Sequence, residues 1–230
     1  MLFGEEGCSR LKAATVVVVG VGGVGGFAAE MLARAGVGHL VIVDSDEVSA
    51  TNRNRQILAL TSTVGRPKCD VLKERLEDIN PEIKVTTISS YVTGENNDEL
   101  FGGLDADFLV DAIDTLTPKI YLIKYCLDRG IPMVSSMGAG AKVDATAVRI
   151  ADISETRMCP LAHMLRKRLH KIGIYSGFKA VFSVEEPRRE SVVIEESRNK
   201  KSQVGTVSYL PVVFGCVCAQ TAVTHIVGLE

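Results

Sequence analysis

The sequence predicts an α/β fold in which a mostly parallel sheet over residues 1–150 is followed by a smaller α+β extension over residues 151–230. Two observations carry this prediction. Thr15 is followed by four consecutive valines, and β-branched side chains disfavour a helix and suit a strand buried on both faces. A helical apolar pattern at 27–35 and a second strand-like run at 39–43 come next, and this alternation is typical of strand–helix–strand units.

The same alternation continues to residue 136 and accounts for the rest of the first region. A short lead-in helix is expected over residues 1–13. Pro67 suits the first turn of a helix that runs to about Ile79, because apolar residues recur there at helical spacing. The other expected elements are a strand at 85–89, a short helix at 96–101, a strand at 108–110, a helix at 119–129 and a strand at 132–136.

A glycine-rich loop, GVGGVG at 20–25, joins the first strand to the first long helix. Glycines let the backbone turn sharply and approach a phosphate closely, and a helix N-terminus adds free N–H groups and the positive end of its dipole. The next strand ends in Asp44, whose carboxylate can accept hydrogen bonds from ribose hydroxyls. The loop predicts a Rossmann-like nucleotide-binding domain at 1–150, without choosing among nucleotides.

Five further polar residues narrow the choice of nucleotide: Asp46, Asn52, Arg55, Gln56 and Lys68. An NAD site needs neither an arginine nor a lysine here, because its pyrophosphate already lies on the helix N-terminus. A triphosphate carries more charge, which cationic side chains can hold and neutralise. The set therefore favours ATP, and a solvated helix face is the alternative interpretation of Arg55.

Bulk properties exclude several other classes of protein. The formal net charge of -2 gives no overall attraction to nucleic acid, so any such binding must use a local basic patch. None of the six cysteines forms a C-x-x-C pair, and no secretory segment is seen, so we expect a reducing cytoplasm. We expect that no apolar run approaches the roughly 20 residues of a membrane span.

The motifs G-x-G-G-x-G, D-x-D, N-x-x-R-Q and G-x-x-K together resemble the ubiquitin-activating-like adenylating enzymes, over roughly the first 150 residues. Four later stretches extend the resemblance to nearly the whole chain and are most similar to the tRNA threonylcarbamoyladenosine dehydratases. They are Val110-Asp111-Ala112-Ile113-Asp114, Gly138-Ala139-Gly140, Pro160-Leu161-Ala162 and Val181-Phe182-Ser183. The resemblance implies an ATP-dependent, Mg²⁺-requiring homodimer that forms an acyl-adenylate on the modified tRNA and closes a ring beside the anticodon.

The resemblance also implies a role for each motif residue. Gly22, Gly23 and Gly25 would approach the nucleotide, Asp44 would bind ribose, and Asp46 and Gln56 would hold the loop. Asn52, Arg55 and Lys68 would engage phosphates, and Asp114 would position Mg²⁺. Arg55, Lys68 and Asp114 are the expected catalytic residues, while Asp111 is expected to be structural.

Residue chemistry supports two of these roles and offers one alternative. A lysine at a helix N-terminus opposes the helix dipole, and such a local conflict at Lys68 is typical of a functional site. Mg²⁺ takes one or two carboxylates together with phosphate oxygens, which suits Asp114. The alternative for both Asp111 and Asp114 is that they merely cap the following helix.

The C-terminal region carries a basic helix and a charged stretch. Leucines share one face of the pattern at 161–169, and the basic residues Arg166, Arg168 and Lys171 lie mostly away from it. A clustered basic face on a net-negative chain favours contact with tRNA phosphates, and the alternative is a solvated face. The charged stretch at 185–202 is expected to be a mobile loop that orders on a substrate, or else an insertion without a role.

The remaining expectations concern the cysteines and the two ends of the chain. Cys159 lies in a candidate active-site loop where family members often have Asp, so we expect it to be non-catalytic. Without two C-x-x-C pairs, no structural zinc is expected. The final apolar helix, at 212–227, should be buried, plausibly in a dimer interface. Family members commonly carry an arginine upstream of the stretch at 2–6; either this chain lacks it, or the numbering begins inside a longer protein.

Three other functions remain open at this point. The first is adenylation of the C-terminal glycine of a small ubiquitin-like sulfur carrier, which would use the same ATP site and make a sulfur-transfer protein the partner. The second is a nucleotide-binding scaffold without catalysis, and the third is oxidoreduction with NAD. The missing zinc cysteines and the basic C-terminal region argue against the first, and the complete set of polar residues argues against the other two.

Overall fold

A seven-stranded sheet organises the chain in the computed structural model, which describes residues 2–193 and 203–229. The strands lie in the order β3-β2-β1-β4-β5-β7-β6, and all are parallel to their neighbours except β6, which runs antiparallel to β7. A separate antiparallel pair is formed by β8 and β9. The bounds are β1 Thr15–Val19, β2 His39–Val43, β3 Lys84–Ile88, β4 Phe108–Asp111, β5 Met133–Ser136, β6 Val148–Asp152, β7 Lys179–Ser183, β8 Val192–Val193 and β9 Gln203–Val204.

Helices cover both faces of the sheet. They are α1 Gly4–Ala13, α2 Gly25–Ala35, α3 Lys68–Ile79, α4 Asn97–Phe101, α5 Leu116–Arg129, α6 Pro160–His170 and α7 Tyr209–Val227. The α/β fold with a mostly parallel sheet is thus confirmed. Two helices start earlier than predicted. Helix α5 begins before Pro118, because a proline is tolerated in a first turn whose N–H groups lack helical partners. Helix α7 begins three residues before 212.

The valines of β1 are buried on both faces, as predicted. Val16 and Val18 pack into the core beneath α2, α3 and α7, whereas Val17 and Val19 pack into the core beneath α5 and α6. Every one of the four is at most 1% exposed. A strand with no solvent-facing side must lie inside the sheet, and β1 indeed pairs with β2 on one side and β4 on the other.

The C-terminal region extends this sheet rather than forming a second large one. Its strand β7 pairs with β5, and β6, which spans residue 150, pairs with β7. The division into domains at 1–150 and 151–230 stays a prediction. Half of the expected mobile loop, at 194–202, lies outside the described residues. The beginning of that stretch packs on the loop after β5: the carboxylate of Glu185 accepts the N–H groups of Val143 and Asp144, at 2.9 Å and 2.7 Å.

Helix α7 has the length and composition of a membrane-spanning helix, with 19 residues and a mean hydropathy of 1.7. The expectation that no apolar run approaches this length was therefore wrong. Half of that window is buried inside the chain, where α7 packs against α2 and α1 and against β4 and β5. A buried core helix passes the same length test, and Phe214, Cys218 and Ala222 of α7 are fully buried in the core. The length of α7 is thus weak evidence for a span.

Glu30 joins the two helices whose N-termini carry the predicted nucleotide residues. Its carboxylate, which is 4% exposed, accepts from Arg34 on α2 at 2.9 Å and from Arg75 on α3 at 2.6 Å. Burial by itself would raise the pKa of Glu30, but the hydrogen bonds from Arg75 and Arg34 outweigh it, and the pKa lies below its usual value. The pair of arginines therefore fixes α3 against α2 by means of one charged group.

Candidate functional site

The residues predicted to bind nucleotide meet where four parallel strands end. The segments after β1, β2, β4 and β5, at 20–25, 44–56, 112–115 and 137–141, form one edge of the molecule, which we call the carboxyl edge. Ligands of open α/β sheets bind outside the carboxyl ends of the strands, where the strand order reverses. Here the order reverses between β1 and β4, and the glycine loop and Asp114 follow those two strands. The topology thus brings the N-terminal motifs together.

Two glycines of the loop are required by the packing of the chain itself. Gly20, which the sequence analysis did not single out, has φ +85°, and a Cβ there would lie 2.9 Å from the carbonyl oxygen of Ala112. A Cβ on Gly25 would lie 1.8 Å from the carbonyl oxygen of Gly20. For Gly22 the nearest atom would be 3.6 Å away, which is ordinary contact. Packing within the described residues therefore explains Gly25, whereas it would tolerate a side chain at Gly22.

Asp44 ties the glycine loop to the loop that follows β2. Its Oδ2 accepts the N–H of Val21 and its Oδ1 accepts the N–H of Asp46, both at 2.9 Å. Burial raises the pKa of Asp44, and the nearby Lys68 opposes this shift. Each carboxylate oxygen keeps a further lone pair, so the predicted role at ribose is compatible with these bonds. The loop-tying role was not predicted, because only the fold brings Val21 next to Asp44.

Lys68 is a buried cation at this edge. It is the first residue of α3, with Pro67 as the N-cap residue, and it is 5% exposed. Its Nζ lies 2.7 Å from Oδ2 of Asp46 and 3.9 Å from Oδ1 of Asp44. The two carboxylates offset both the burial of the charge and its conflict with the helix dipole. An ion pair therefore joins Asp46 to Lys68, and the role of Asp46 in holding the loop around a nucleotide stays a prediction.

The short 3₁₀ helix Ala50–Asn52 begins the segment that carries the predicted phosphate residues. The side-chain oxygen of Asn52 accepts the N–H of Ser49 at 3.1 Å, so the amide caps its own turn. Arg55 is half-buried and donates to the carbonyl of Thr51 at 3.2 Å and to the side chain of Asn54 at 2.9 Å. The guanidinium is thus held by its own loop instead of being a freely solvated group.

Gln56 has a buried acceptor without a partner. Its side chain is 7% exposed, and Oε1 has no hydrogen bond within the described part of the chain. The amide lies beside the glycine loop, since a Cβ on Gly22 would be 3.6 Å from Nε2. Leaving such an acceptor unsatisfied costs about 1–3 kcal/mol. A donor from a ligand that lies on the glycine loop would remove this cost.

Asp111 and Asp114 have different environments at the end of β4. Asp111 is fully buried and accepts from Lys119 at 2.6 Å and from Ser135 at 2.7 Å, so it is structural, as expected. Asp114 is exposed. The N-cap residue of α5 is Thr115, which argues against the alternative that either aspartate is the N-cap. Asp114 is therefore the carboxylate of this pair that a ligand can reach.

The donor set at this edge fits Mg²⁺ only together with a nucleotide. Within residues 2–193 and 203–229, no group of three or more His, Cys, Asp or Glu side chains could hold a metal ion. Mg²⁺ is commonly bound by one or two carboxylates with phosphate oxygens and water completing its six ligands. Asp114 supplies one such carboxylate on the turn after β4, and Ala112 of the same turn abuts Gly20. The residues present thus fit a metal that arrives with a polyphosphate.

Sequence reasoning missed several contacts that join the C-terminal region to this edge. The segment before α7 reaches it, because the side chain of Asn54 donates to the carbonyl of Thr206 at 3.2 Å. Lys142 is 2% exposed and donates to the carbonyls of Met158 at 2.9 Å and Ser183 at 2.7 Å. Burial lowers the pKa of Lys142. The available signal was a lysine in a short apolar stretch directly after a predicted strand.

The basic residues of α6, counted with Lys171 at its C-cap, are not equivalent. Arg166 is half-buried and donates to the carbonyl of Thr156 at 2.8 Å and to the hydroxyl of the same residue. Arg168 and Lys171 are exposed. Helix α6 begins at the carboxyl edge, where Cys159 lies beside Gly138, and its 11 residues carry the chain about 16 Å away from it. The exposed cations therefore lie towards the far end of the helix.

Cys159 precedes the first turn of α6 and is buried, as are three other cysteines. All six cysteines are free thiols. The side chain of Cys159 packs with Ala162 and Leu165 in the core beneath α5 and α6. The expectation that Cys159 is non-catalytic stays a prediction.

Comparison with known proteins gives matches over most or all of the chain. The model of the ThiF family matches residues 1–230. The tRNA threonylcarbamoyladenosine dehydratase of Bacillus subtilis (strain 168) is 49% identical over 202 residues, which are 87% of this chain and 77% of that protein. The protein of the same name from Escherichia coli (strain K12) is 40% identical over 185 residues, which are 80% of this chain and 69% of that protein.

A solved structure extends this similarity to the three-dimensional level. The crystal structure of the E. coli tRNA N6-threonylcarbamoyladenosine dehydratase in complex with ATP superimposes with a TM-score of 0.90 and 35% sequence identity. The match covers 99% of this chain and 91% of that one. The likeness therefore includes the basic helix and the C-terminal strands as well as the glycine loop.

Proposed function

Because this chain belongs to the ThiF family, we propose that it is an ATP-dependent enzyme that dehydrates threonylcarbamoyladenosine in tRNA by cyclisation. The observation that carries the proposal is the buried Lys68, held at 2.7 Å from Asp46 beside the ribose carboxylate Asp44. A cation fixed at this point serves a polyphosphate, and a dinucleotide site has no need of it. The similarity to dehydratases along the C-terminal region supports the tRNA substrate.

The proposed chemistry begins with a carboxylate, which is a poor electrophile because of its charge and its poor leaving group. Attack of the threonyl carboxylate on the α-phosphorus of ATP releases pyrophosphate and forms an acyl-adenylate. The carbamoyl group of the same modification then attacks the acyl carbon. AMP leaves with one carboxylate oxygen, a proton is released, and the ring closes, so the nucleoside loses one water. The tethered nucleophile makes this second step effectively unimolecular.

In this proposal the protein mainly positions groups and stabilises charge. The backbone at Gly22, Gly23 and Gly25 approaches the nucleotide, and Asp44 accepts from the ribose hydroxyls. The side chains of Asn52, Arg55 and Lys68 engage the phosphates. Their present partners are within the protein, so Arg55 and Lys68 exchange or share hydrogen bonds when the polyphosphate binds. Mg²⁺, which Asp114 would hold, supplies further neutralisation of phosphate charge.

The assembly and location follow from the same resemblance. The proposed enzyme acts as a homodimer in the cytoplasm. Sedimentation equilibrium at micromolar concentration should give twice the chain mass of 24.7 kDa. A monomer at that concentration would contradict the dimer without affecting the proposed chemistry.

We further propose that the exposed cations of α6 bind tRNA phosphates, with Arg168 and Lys171 contributing more than Arg166. The double variant Arg168→Gln/Lys171→Gln should weaken tRNA binding and lower the salt slope, d log K/d log [salt], by about 1.5 in magnitude, since each lost phosphate contact accounts for about 0.7–0.9. Filter binding at several salt concentrations measures both quantities.

The matched control is Lys73→Gln/Lys124→Gln, which removes the half-buried Lys73 from α3 and the exposed Lys124 from α5. It should leave the salt slope unchanged. Equal slopes for the two double variants would show that α6 is only a solvated face. Arg166 is omitted from the test, because its loss would also break its hydrogen bonds to Thr156.

The function itself is tested with the purified chain, ATP, Mg²⁺ and tRNA that carries threonylcarbamoyladenosine, with unmodified tRNA as the control. Mass spectrometry of the digested nucleosides should show loss of one water, only with ATP and only in the modified tRNA. An unchanged nucleoside, combined with ATP–pyrophosphate exchange that needs a small carrier protein ending in Gly-Gly, would contradict the proposal and favour activation of a sulfur carrier.

A further inference from the structure

A fully buried polar cluster lies directly beneath the carboxyl edge and has no role in the chemistry proposed above. Nζ of Lys119 donates to Oδ2 of Asp111 at 2.6 Å and to the hydroxyl of Ser135 at 3.0 Å. The hydroxyl of Ser135 donates to the same Oδ2 at 2.7 Å. The three side chains come from α5, β4 and β5, and each is 0% exposed. We call them the buried cluster.

Stability alone is a weak reason for this arrangement. The desolvation of two charges in an apolar core offsets much of their attraction, and apolar residues of similar volume are often equally stable at such positions. A buried, fully hydrogen-bonded group does, however, fix orientation closely. Asp111 is the last residue of β4 and lies three residues before Asp114. This position indicates that the oriented segment is the turn that carries Asp114.

The second oxygen of Asp111 organises the turn that presents Asp114. Oδ1 accepts the N–H of Ile113 at 3.1 Å, and the N–H of Ala112 donates to the carbonyl of Val19 at 2.9 Å. The carbonyl of Ala112 in turn abuts Gly20, where a Cβ would lie 2.9 Å from it. The turn at 111–114 is therefore held on one side by the buried cluster and on the other by the glycine loop.

We propose that Lys119 and Ser135 are positioning residues for Mg²⁺. They hold Asp111 in one orientation, and Asp111 holds the turn so that the Asp114 carboxylate faces the metal that accompanies the nucleotide. The inference rests on the proposed function, because the metal role of Asp114 belongs to it. The buried cluster would thus act on the metal through the backbone of the turn, without touching metal or substrate.

The test compares ATP affinity by calorimetry with Mg²⁺ and with EDTA. Ser135→Ala removes one hydrogen bond to Asp111 and keeps the ion pair, so it is the variant most certain to fold. This variant should bind ATP about tenfold more weakly in Mg²⁺, which is the smallest effect usually seen when a group that orients a metal ligand is removed. Its ATP affinity in EDTA should stay within about twofold of wild type. Ser135→Thr, which keeps the hydroxyl, should restore Mg²⁺-dependent binding.

Ser136→Ala is the matched control, since Ser136 is the next residue of β5, is also buried, and donates to the carbonyl of Met137 rather than to Asp111. It should leave the ratio of the two affinities unchanged. A merely structural cluster would give Ser135→Ala a lower melting temperature with an unchanged ratio, and that result would overturn the inference.

The wild-type protein and Asp114→Asn separate failure of the inference from failure of the proposed function. Wild type should bind ATP more tightly with Mg²⁺, and Asp114→Asn should abolish that gain. Wild type that binds no ATP would contradict the proposed function. Wild type and Asp114→Asn that behave as expected, together with a Ser135→Ala protein that matches wild type, would overturn only the inference.

Discussion

Replacement of Lys68 by methionine is expected to lower ATP-dependent turnover by about a hundredfold to a thousandfold while the chain remains folded. The lysine is 5% exposed and lies 2.7 Å from the Asp46 carboxylate, so it is already held in place before any phosphate binds. A pre-positioned cation stabilises the charge that develops on the phosphates without reorganising during the reaction. Methionine keeps the length and the apolar stem, so the variant isolates the charge.

The same variant has a second readout at Asp44. Burial raises the pKa of Asp44, and Lys68 is the largest opposing influence. Without the lysine, the pKa of Asp44 should rise further. The sign follows directly: a protonated Asp44 is a poorer acceptor, so the loss of ATP affinity on acidification should begin at a higher pH in Lys68→Met than in wild type. Calorimetric titrations with ATP across the acidic range measure this shift.

Lys73→Met is the control for this prediction, because Lys73 lies on the same helix, is only half-buried, and lies 3.7 Å from Glu77 in an ion pair near the surface. Surface pairs of this kind contribute little. Turnover in Lys73→Met should match wild type. Near-normal turnover in a folded Lys68→Met protein would show that Lys68 serves only to pair with the two aspartates.

Replacement of Gly25 by alanine is expected to destabilise the chain by about 3 kcal/mol or more, because a buried methyl group has no room there. The new Cβ would lie 1.8 Å from the carbonyl oxygen of Gly20 and 3.2 Å from Cβ of Ala112. The first of these atoms is backbone and cannot rotate away. Either the N-terminus of α2 or the turn after β1 must shift, and both form the predicted phosphate site.

Urea unfolding and ATP calorimetry test this prediction. Gly26→Ala is a closely matched control, since it adds the same methyl group one residue later in α2, where the nearest atom would be 3.4 Å away. Its stability should stay within about 1 kcal/mol of wild type, because alanine favours the helix over glycine by about that amount. Similar unfolding midpoints for the two variants would show that the loop relaxes easily and that its glycines are not required for packing.

The position of α6 suggests how a large substrate meets a small site. The helix starts beside Gly138 at the carboxyl edge, and its exposed cations lie about three turns away. A modified base at the carboxyl edge would therefore leave the adjoining RNA backbone to run along α6. Neutralising Arg168 and Lys171 should then affect tRNA affinity much more than turnover of the bound complex, in contrast to Lys68→Met.

The local sequence pattern was sufficient to predict most of the fold and part of the site. The valines of β1, the glycine loop, Asp44 at the end of β2 and Lys68 at the start of α3 were all predicted in their observed places. Each of these features depends on neighbours in sequence: side-chain branching, helical spacing and backbone freedom act over a few residues. The ends of helices and strands were less certain. Pro118 suggested that α5 starts after the proline, but the helix already starts at Leu116.

The tertiary structure alone decided which of these residues touch one another. Asp44 accepts from Val21, 23 residues away; Ser135 donates to Asp111, 24 residues away; and Asn54 donates to Thr206, 152 residues away. Helix α7 has the apolar composition of a membrane span, and only its packing against α2 and the sheet shows it as part of the core. Local periodicity determines which face of an element is apolar, but the partner of a polar group depends on chain topology, which brings distant segments to the same edge of the sheet.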